Sequence, residues 1–256
     1  MDDRFAGKAE WFDQHYATTR GRIRLALVLE RLRDRLPASP ARILDAGGGT
    51  GAFAVPLAAD GHDVTVLDPS DEWLDRARRN ARDAGAELRT VRGRVEDAAA
   101  LVEPGFEAIL CHAVLMYTEN PSVGLRTLRA VVRDGGLLSL LEKNSGAIAL
   151  RPGLQGDYVE AQRLLHETTS RGRLGIENRA HPIERWSGML EETGWRPVDW
   201  VGVRLFSDSA PDSLPEDRFG ELLKLERKAG GVDSYRRVSR LVHVLASTSS
   251  SNGDRA

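Results

Sequence analysis

A glycine-rich turn followed by an acidic residue is the feature of this sequence best suited to chemistry. The turn reads DAGGGTG over residues 45–51, and Asp68 closes the apolar run VTVLD 17 residues after Gly51. Glycines let a ligand approach the backbone closely, and a carboxylate at the end of the next strand can accept hydrogen bonds from a ribose diol. Such a turn alone could be a tight connection without a ligand, but together with Asp68 it predicts an adenosine site.

Two classes of nucleotide ligand use a turn of this kind. Gly47, Gly49 and Ala52 satisfy the G-x-G-x-x-G/A pattern of dinucleotide sites. Asp45 stands just before the glycines, where a carboxylate would repel a pyrophosphate at a helix N-terminus but would attract an α-ammonium group. S-adenosylmethionine carries that ammonium group and NAD does not. The sequence therefore favours S-adenosylmethionine as the cofactor.

The elements that must position these residues alternate between strand and helix. After a first helix, TRGRIRLALVLERLRDRL, the predicted strands ARILDA, HDVTVLD, AELRTVRG, EAILCHAVL and LLSLLEKN are separated by helical stretches, the last of them SVGLRTLRAVVRDGG. Alternation of this kind predicts βαβ units and a parallel sheet. Residues 146–183 break the rhythm with two Gly/Pro clusters and are interpreted as a lid insertion. A helix and two strands, WRPVDWVGVRLF and SRLVHVLAS, complete the core.

We therefore predict an α/β fold with a Rossmann-like, seven-stranded, mostly parallel sheet. Helices should cover both faces of the sheet, and an N-terminal helix and the lid should add to this core. The prediction places residues 1–248 in a single domain and treats residues 249–256 as a disordered tail, because TSSSNGDRA is small and polar.

The composition limits which binding partners and which cellular compartment suit this chain. Thirty-six Lys and Arg against 38 Asp and Glu give a net charge of -2, so no global positive field draws the chain to nucleic acid. The single cysteine, Cys111, excludes an intramolecular disulfide and suits a reducing cytoplasm. The sequence has no run of about 18 consecutive apolar residues, so it predicts no membrane-spanning helix. The six histidines show no ligand spacing, so we expect no metal site.

Several of these motifs, in this order, resemble the class I S-adenosylmethionine-dependent methyltransferases. The resemblance rests on DAGGGTG, VTVLDPS, GRVED and RDGGLLSL, and it covers residues 41–142. It implies that the glycine loop holds the methionine part, that the acid after the second strand holds the ribose, and that residues after the third strand flank the adenine. The cofactor residues implied are Asp45, Gly47, Gly48, Gly49, Gly51, Asp68, Pro69, Val95 and Glu96.

A closer resemblance is to the tRNA 5-carboxymethoxyuridine methyltransferases, which methylate the carboxylate of a modified wobble uridine. It rests on YATTRGRIR, HAVLMYTENP, GVRLF and LVHVLAS, and therefore runs through most of the chain. It implies that Arg24 pairs with the methionine carboxylate and that His112 lines the site. A guanidinium fork suits a carboxylate. Candidate contacts with the methyl acceptor are Tyr16, Tyr117, Asn144 and Arg204.

Single residues keep more than one interpretation at this stage. His112 could be a general base, although a lone histidine at a strand end is more often a hydrogen-bonding wall of the pocket. Cys111 follows an apolar run and is interpreted as a buried small residue. Arg204 could face an anionic acceptor or pair with an acid. Basic residues near both ends, Arg20 to Arg24 and Arg227 to Arg240, could meet an RNA backbone if folding brings them to one rim.

The predicted reaction needs little acid–base chemistry. A sulfonium methyl is already activated, so transfer requires donor and acceptor to be held in line and shielded from water. A carboxylate acceptor is already ionised at neutral pH. The partner is then a tRNA or a small-molecule acceptor. Three alternatives stay open: a methyltransferase of a small metabolite or natural product, a non-catalytic cofactor-binding protein, and a nucleotide-dependent oxidoreductase.

Overall fold

The structure is a computed structural model that describes residue 5, residues 7–172 and residues 175–249. Arg173 of the predicted lid and all but the first residue of the predicted tail lie outside the described residues. Within the described ranges, two N-terminal helices precede the sheet. They are α1 (Ala9–Ala17) and α2 (Thr19–Arg33), the second with Thr18 as its N-cap, accepting from Gly21 N.

Strands and helices then alternate as predicted. In chain order they are β1 (Arg42–Ala46), α3 (Ala54–Ala59), β2 (Asp63–Asp68), α4 (Asp71–Asp83), β3 (Arg89–Arg92), α5 (Ala98–Leu101), β4 (Phe106–His112), α6 (Pro121–Val131) and β5 (Val132–Lys143). Strands β1, β2 and β4 are buried along almost their whole length, which suits central strands covered on both faces of a parallel sheet, whereas β3 at the edge is partly exposed.

The remaining elements include the insertion and the closing strands. They are α7 (Leu150–Leu154), α8 (Tyr158–Leu164), β6 (Thr169–Arg171), β7 (Glu177–Arg179), α9 (Ile183–Glu192), β8 (Arg196–Val203), α10 (Glu216–Gly231), α11 (Asp233–Arg236) and β9 (Leu241–Ser247). Strands β6 and β7 form a separate two-stranded hairpin within the predicted lid.

The main sheet confirms the predicted fold class. In the described part of the chain it has seven strands in the order β3-β2-β1-β4-β5-β9-β8. All neighbours pair in parallel except β9, which is antiparallel to both β5 and β8. The chain reverses its direction of travel across the sheet between β1 and β4. Ligands of open α/β sheets bind at such a switch point, beyond the carboxyl ends of the strands.

Helices cover both faces, and each face has its own core. Leu27 and Leu32 of α2 pack with Leu57 of α3 and Leu110 of β4 on one face. On the other face, α6 and α9 pack against the sheet, with Trp186 fully buried. Burial of side chains this large stabilises each face by several kcal/mol, at roughly 2 kcal/mol for each large apolar side chain. The strand ends are thus held by a rigid layer on either side.

The boundary between α6 and β5 differs from the prediction. The pattern SVGLRTLRAVVRDGG predicts one continuous helix, whereas the helix ends at Val131 and β5 begins at Val132, which pairs with Phe106. Gly135 has a φ of +71°. The helix has already ended before this glycine, because Val132 is extended with φ −81° and ψ 146°, and Gly135 and Gly136 belong to β5.

Candidate functional site

The glycine loop lies between β1 and α3 and is hydrogen-bonded to the neighbouring strand, β2. The backbone amides of Gly47 and Gly48 donate to the carbonyl of Leu67 at 2.6 and 3.3 Å. Gly47 has a φ of +75°, and a Cβ there would lie 2.4 Å from the side chain of Val114. A Cβ on Gly49 would lie 2.8 Å from the ring of Trp73. Side chains are therefore excluded at both positions by conformation and by space.

Asp68 ends β2 directly beside this loop. Its two carboxylate oxygens accept one hydrogen bond each, from Gly49 N at 3.1 Å and from Ser70 N at 3.0 Å. A carboxylate has about four acceptor positions, so both oxygens retain capacity for a ligand. Burial raises the pKa of Asp68 to about 6, against the two backbone hydrogen bonds, which lower it. An ionised, half-satisfied carboxylate at this position suits a diol.

Asp45 lies beneath the loop and does not line the cavity. It is 2% exposed, its Oδ2 makes no hydrogen bond within the described residues, and a Cβ on Gly48 would touch its carboxylate. Burial, and next the negative charge of Asp68, raise its pKa from 3.8 to about 7. Asp45 therefore lies against the glycine loop without lining the cavity.

Replacing Asp45 with asparagine should stabilise the ligand-free protein in a pH-dependent way. The folded pKa of about 7 exceeds the ordinary 3.8, so ionisation costs the folded state nothing below pH 3.8 and its full amount above pH 7. At about 1.4 kcal/mol per pH unit, the upper bound of that cost is about 4 kcal/mol. Thermal unfolding should show a larger gain for Asp45→Asn at pH 8 than at pH 4.5. An equal gain at both pH values would contradict the assignment.

A cavity of about 460 Å³ opens at the carboxyl ends of β1, β2 and β4. The sequence-predicted site residues that line it are Tyr16, Arg24, Gly47, Gly48, Gly49, Asp68, Pro69, Val95, Glu96, His112, Tyr117 and Arg204. Residues from six separate parts of the chain are thus brought together.

Gly51 and Asn144 stand outside the lining. A Cβ on Gly51 would lie 3.3 Å from Ala77, so this glycine allows α4 to pack against the loop. The Asn144 side chain donates to the carbonyls of Arg237 and Ser239, each at 2.9 Å, and accepts from Gly146 N. Asn144 therefore holds backbone together at the end of β5, and its position gives no support to an acceptor contact.

Arg24 faces the cavity from the buried side of α2. It is 7% exposed, and its guanidinium carbon lies 5.1 Å from the centre of the Tyr16 ring and 5.5 Å from that of Phe53. Its Nε makes no hydrogen bond to any described residue. A buried guanidinium with donors to spare is a carboxylate-binding group.

The turn after β4 is held by a residue that the sequence analysis missed. Glu142 is fully buried and accepts hydrogen bonds from the backbone amides of Val114, Leu115 and Met116 at 3.1, 2.8 and 3.1 Å. Ala113, at the start of this turn, has a φ of +59°, a conformation that costs a non-glycine residue energy. Burial raises the pKa of Glu142 to about 8, against the three amide donors, which lower it.

The turn after β8 is held in the same manner. Glu226 of α10 is buried and accepts from Leu205 N at 3.0 Å and from Ser207 N at 2.7 Å. Arg204, the first residue of this turn, has a φ of +65° and forms an ion pair with Asp208. Both strained positions line the cavity, which fits the tendency of backbone strain to occur at functional sites.

One end of the cavity is rich in cations. Lys143, Arg151, Arg204 and Arg240 line it, and Asp208 lies among them. Burial, and next the charge of Arg240, lower the pKa of Lys143 to about 7, against the charge of Asp208, which raises it. The Lys143 ammonium donates to Ser170 and Asn178, so the β6–β7 hairpin is attached to the end of β5. Sequence reasoning placed these residues in separate elements and did not group them.

Two of the basic residues near the chain ends form ion pairs between α2 and α10. Arg22 pairs with Glu216 at 2.9 Å, and Arg227 pairs with Glu30 at 2.7 Å. Arg24 and Arg240 alone of these sets, among the described residues, line the cavity. Folding therefore brings parts of the two basic sets together, and each set contributes one cation to the cavity lining.

Aromatic side chains form one part of the cavity wall. Phe5 packs against Trp73 and Tyr117, with ring centroids 5.7 and 5.0 Å apart, and Phe12 packs on Trp73 at 4.7 Å. The amide of Gly7 donates to Glu72 at 2.9 Å and holds this segment to α4. The N-terminal segment is thus part of the cavity wall.

Metal, membrane and thiol chemistry are not indicated. Among the described residues there is no group of three or more His, Cys, Asp or Glu placed to hold a metal ion. In the same part of the chain, no helix has the length and apolarity needed to cross a membrane. Cys111 is fully buried, and burial raises its pKa, which agrees with its interpretation as a small core residue.

Comparisons with known proteins agree with this geometry. A family model described as a methyltransferase domain matches residues 44–140. The tRNA 5-carboxymethoxyuridine methyltransferase of Escherichia coli (strain K12) is 32% identical over 254 residues, covering 96% of this chain and 97% of that protein. The ubiquinone biosynthesis O-methyltransferase of Xanthomonas axonopodis pv. citri is 30% identical over 179 residues, covering 66% and 73%.

A solved structure shows the same fold. It is that of an S-adenosylmethionine-dependent methyltransferase from Thermotoga maritima, with a TM-score of 0.63 at 15% identity, covering 97% of this chain and all of that one. At this identity the similarity speaks for the fold alone.

Proposed function

Because this chain belongs to the S-adenosylmethionine-dependent methyltransferases and uses that cofactor as its methyl donor, we propose that its acceptor is the carboxylate of 5-carboxymethoxyuridine in tRNA. The observation that carries the proposal is the cationic end of the cavity, formed by Lys143, Arg151, Arg204 and Arg240. The full-length similarity to the Escherichia coli enzyme supports it. Transfer to a carboxylate oxygen would form a methyl ester.

The residues present fit the cofactor. Asp68 would hold the ribose with the acceptor positions it has left, and Arg24, whose Nε makes no hydrogen bond within the described chain, would pair with the amino-acid carboxylate. Val95 and Glu96 would flank the adenine, and the glycine loop would hold the methionine part with Asp45 beneath it. When bound, the cofactor supplies a methyl group activated by its sulfonium.

The protein's own contribution is orientation and charge. A carboxylate has an ordinary pKa near 4, so it reaches the site ionised and needs no base. The four cations would attract it, hold its orientation and offset the cost of removing it from water. Asp208 pairs with Arg204, which keeps that guanidinium in place.

The wall opposite the sheet is the predicted lid. Arg171, Gly172, Ile176 and Asn178 of the hairpin region line the cavity, and Lys143 ties the hairpin to β5. We propose that residues 1–248 act as one domain and that the segment 146–183 covers the acceptor. A cytoplasmic location goes with a tRNA acceptor.

The proposal is tested by following a labelled methyl group. Bulk tRNA is saponified under mild conditions to regenerate free carboxylates, and is then incubated with radiolabelled S-adenosylmethionine and the protein. We expect label in the tRNA that mild base releases as methanol, since an ester is base-labile and an N-methyl group or ether is not. Unlabelled tRNA, or base-stable label, would contradict a carboxylate acceptor.

Removing one cation from the acceptor end should weaken acceptor binding. Arg240→Ala should raise the KM for tRNA by about tenfold or more, because a hydrogen bond to a charged group contributes about 1.5–3 kcal/mol. The cofactor affinity should not change. Arg218→Ala is the matched control, since Arg218 is exposed and pairs with Glu221 within α10. Equal effects of both substitutions would remove the acceptor role from Arg240.

A small anionic metabolite is the second candidate acceptor. The net charge of -2 and the similarity to ubiquinone biosynthesis O-methyltransferases favour it. Salt discriminates the two, because binding to several RNA phosphates weakens steeply as salt rises, whereas binding of a small acid does not. A salt-insensitive KM with label in a small acid would select this candidate.

A further inference from the structure

A chain of hydrogen bonds runs from the cavity across the sheet to the protein surface. His112 Nε2 lies 2.8 Å from Ser139 Oγ, and Ser139 Oγ lies 2.7 Å from His243 Nε2. His243 Nδ1 lies 2.9 Å from Nη1 of Arg31, whose other terminal nitrogen, Nη2, donates to Asp199 at 2.7 Å. The chain therefore links β4, β5, β9 and α2 to β8.

The register places the three central side chains on one face. Leu110 pairs with Ser139 and His112 with Leu141 between β4 and β5, while Leu141 pairs with His243 between β5 and β9. Side chains directly opposite each other, and those two residues apart on one strand, share a face. His112, Ser139 and His243 thus lie diagonally on the face that α2 covers, and all three are buried.

Arg31 sets the direction of every bond in this chain. A guanidinium has donors and no acceptor, so Nδ1 of His243 must accept. Its proton then lies on Nε2, which donates to Ser139. The single hydroxyl proton of Ser139 is left to donate to Nε2 of His112, and the remaining proton of a neutral His112 lies on Nδ1.

We propose that Arg31, Ser139 and His243 are positioning residues that hold His112 as a neutral imidazole with Nδ1–H offered to the cavity ligand. His112 lines the cavity, and its Nδ1 is a buried atom at the cavity wall that makes no hydrogen bond to any described residue. A buried donor without a partner costs free energy, which an acceptor atom of a ligand at this wall would recover. The ligand atom that it takes is a hydrogen-bond acceptor, and a carboxylate oxygen is the class present in both cofactor and acceptor. This rests on the proposed function only for the identity of that carboxylate.

The arrangement excludes His112 as a general base. Its Nε2 lone pair is used by Ser139 and its Nδ1 carries the proton. Burial and the charge of Arg24 lower the pKa of His112 to about 3, and burial and the charge of Arg31 lower the pKa of His243. A second proton is therefore not gained in the neutral range. An N–H donor at this position favours an oxygen acceptor over an ammonium or amide donor.

The tautomers are read by long-range ¹H–¹⁵N correlation on ¹⁵N-histidine-labelled protein between pH 6 and pH 8.5. The signals of His112 and His243 are assigned by their loss in His112→Asn and His243→Asn. We expect His112 with its proton on Nδ1 and His243 with its proton on Nε2, both unchanged over this range. An Nε2–H His112, or titration of either ring, would overturn the proposal. The readout needs no turnover, so its failure is distinguishable from failure of the proposed function.

Variants of the residues in the hydrogen-bond chain test the direction in which its bonds donate. Arg31→Met should abolish the tautomer preference of both histidines, whereas Asp199→Asn, which removes only the surface partner of Arg31, should preserve it. Ser139→Ala gives an independent test if Arg31→Met fails to fold, since it should free His112 and leave His243 unchanged. An unaltered His112 in Ser139→Ala would overturn the relay.

The carboxylate partner is found by comparing His112→Leu with His112→Asn, which retains a donor near Nδ1. A loss of S-adenosylhomocysteine affinity of tenfold or more in the leucine variant, partly recovered in asparagine, assigns the donor to the cofactor carboxylate. An increase of the same size in the KM for the acceptor, with cofactor affinity unchanged, assigns the His112 donor to the acceptor carboxylate. No difference between the two variants in either quantity would show that the donor is not used.

Discussion

Asp68→Ala should raise the Kd for S-adenosylhomocysteine by about 100-fold, because two charge-assisted hydrogen bonds to a ribose diol contribute about 1.5–3 kcal/mol each. The substitution removes the buried carboxylate that also orders the loop through Gly49 N and Ser70 N. Isothermal titration calorimetry measures the affinity directly. Because the pKa of Asp68 is about 6 in the ligand-free protein, the wild-type affinity should also fall as the pH is lowered through that value.

A matched control distinguishes loss of the cofactor site from the general effect of removing an acidic residue in this region. Asp75 lies on α4, is exposed and pairs with Arg78. The Asp75→Asn variant should therefore bind S-adenosylhomocysteine with wild-type affinity. Far-UV circular dichroism checks that both variants fold. Affinity within threefold of wild type in Asp68→Ala would exclude Asp68 from the cofactor site and reopen the choice of ligand.

Glu142→Leu should lower the free energy of unfolding by about 3 kcal/mol or more. Removing the carboxylate leaves the amides of Val114, Leu115 and Met116 buried without their acceptor, and each such group costs about 1–3 kcal/mol. The turn that these amides belong to includes Ala113, which adopts its positive φ only while the turn is held. Urea denaturation measures the loss, and activity should fall with it.

The conservative variant shows whether the amides are the cause. Glu142→Gln retains one carbonyl oxygen of the same reach, so it should recover more than half of the stability that leucine loses. Its midpoint should also depend less on pH between 4.5 and about 8, because burial raises the pKa of Glu142 from 4.5 to about 8, so that its ionisation destabilises the folded state over this range, and glutamine carries no charge. Equal destabilisation by glutamine and leucine would indicate a packing effect instead of hydrogen bonding.

Much of the fold and the cofactor half of the site could be predicted from the sequence, because the signals are local. The alternation of apolar strands with helices predicts a parallel sheet, and the glycine turn with Asp68 lies within one βαβ unit, so its geometry follows from neighbouring residues. The main local error, the helix drawn through Gly135, arose because the apolar pattern continues past Val131, whereas the chain becomes extended at Val132 and pairs with Phe106 of β4.

Tertiary structure alone decided the rest, since those groups meet only when distant elements pack. Glu142 holds a turn 26 to 28 residues away, and Glu226 holds one 19 to 21 residues away. Arg31 and His243 are separated by 212 residues, and they bond because β9 inserts beside β5 under α2. The sequence by itself determined which cofactor chemistry the chain carries. Only the packing of α2, the lid and the last strands decided which side chains surround it, because buried polar groups find partners by proximity in space and leave no periodic pattern along the chain.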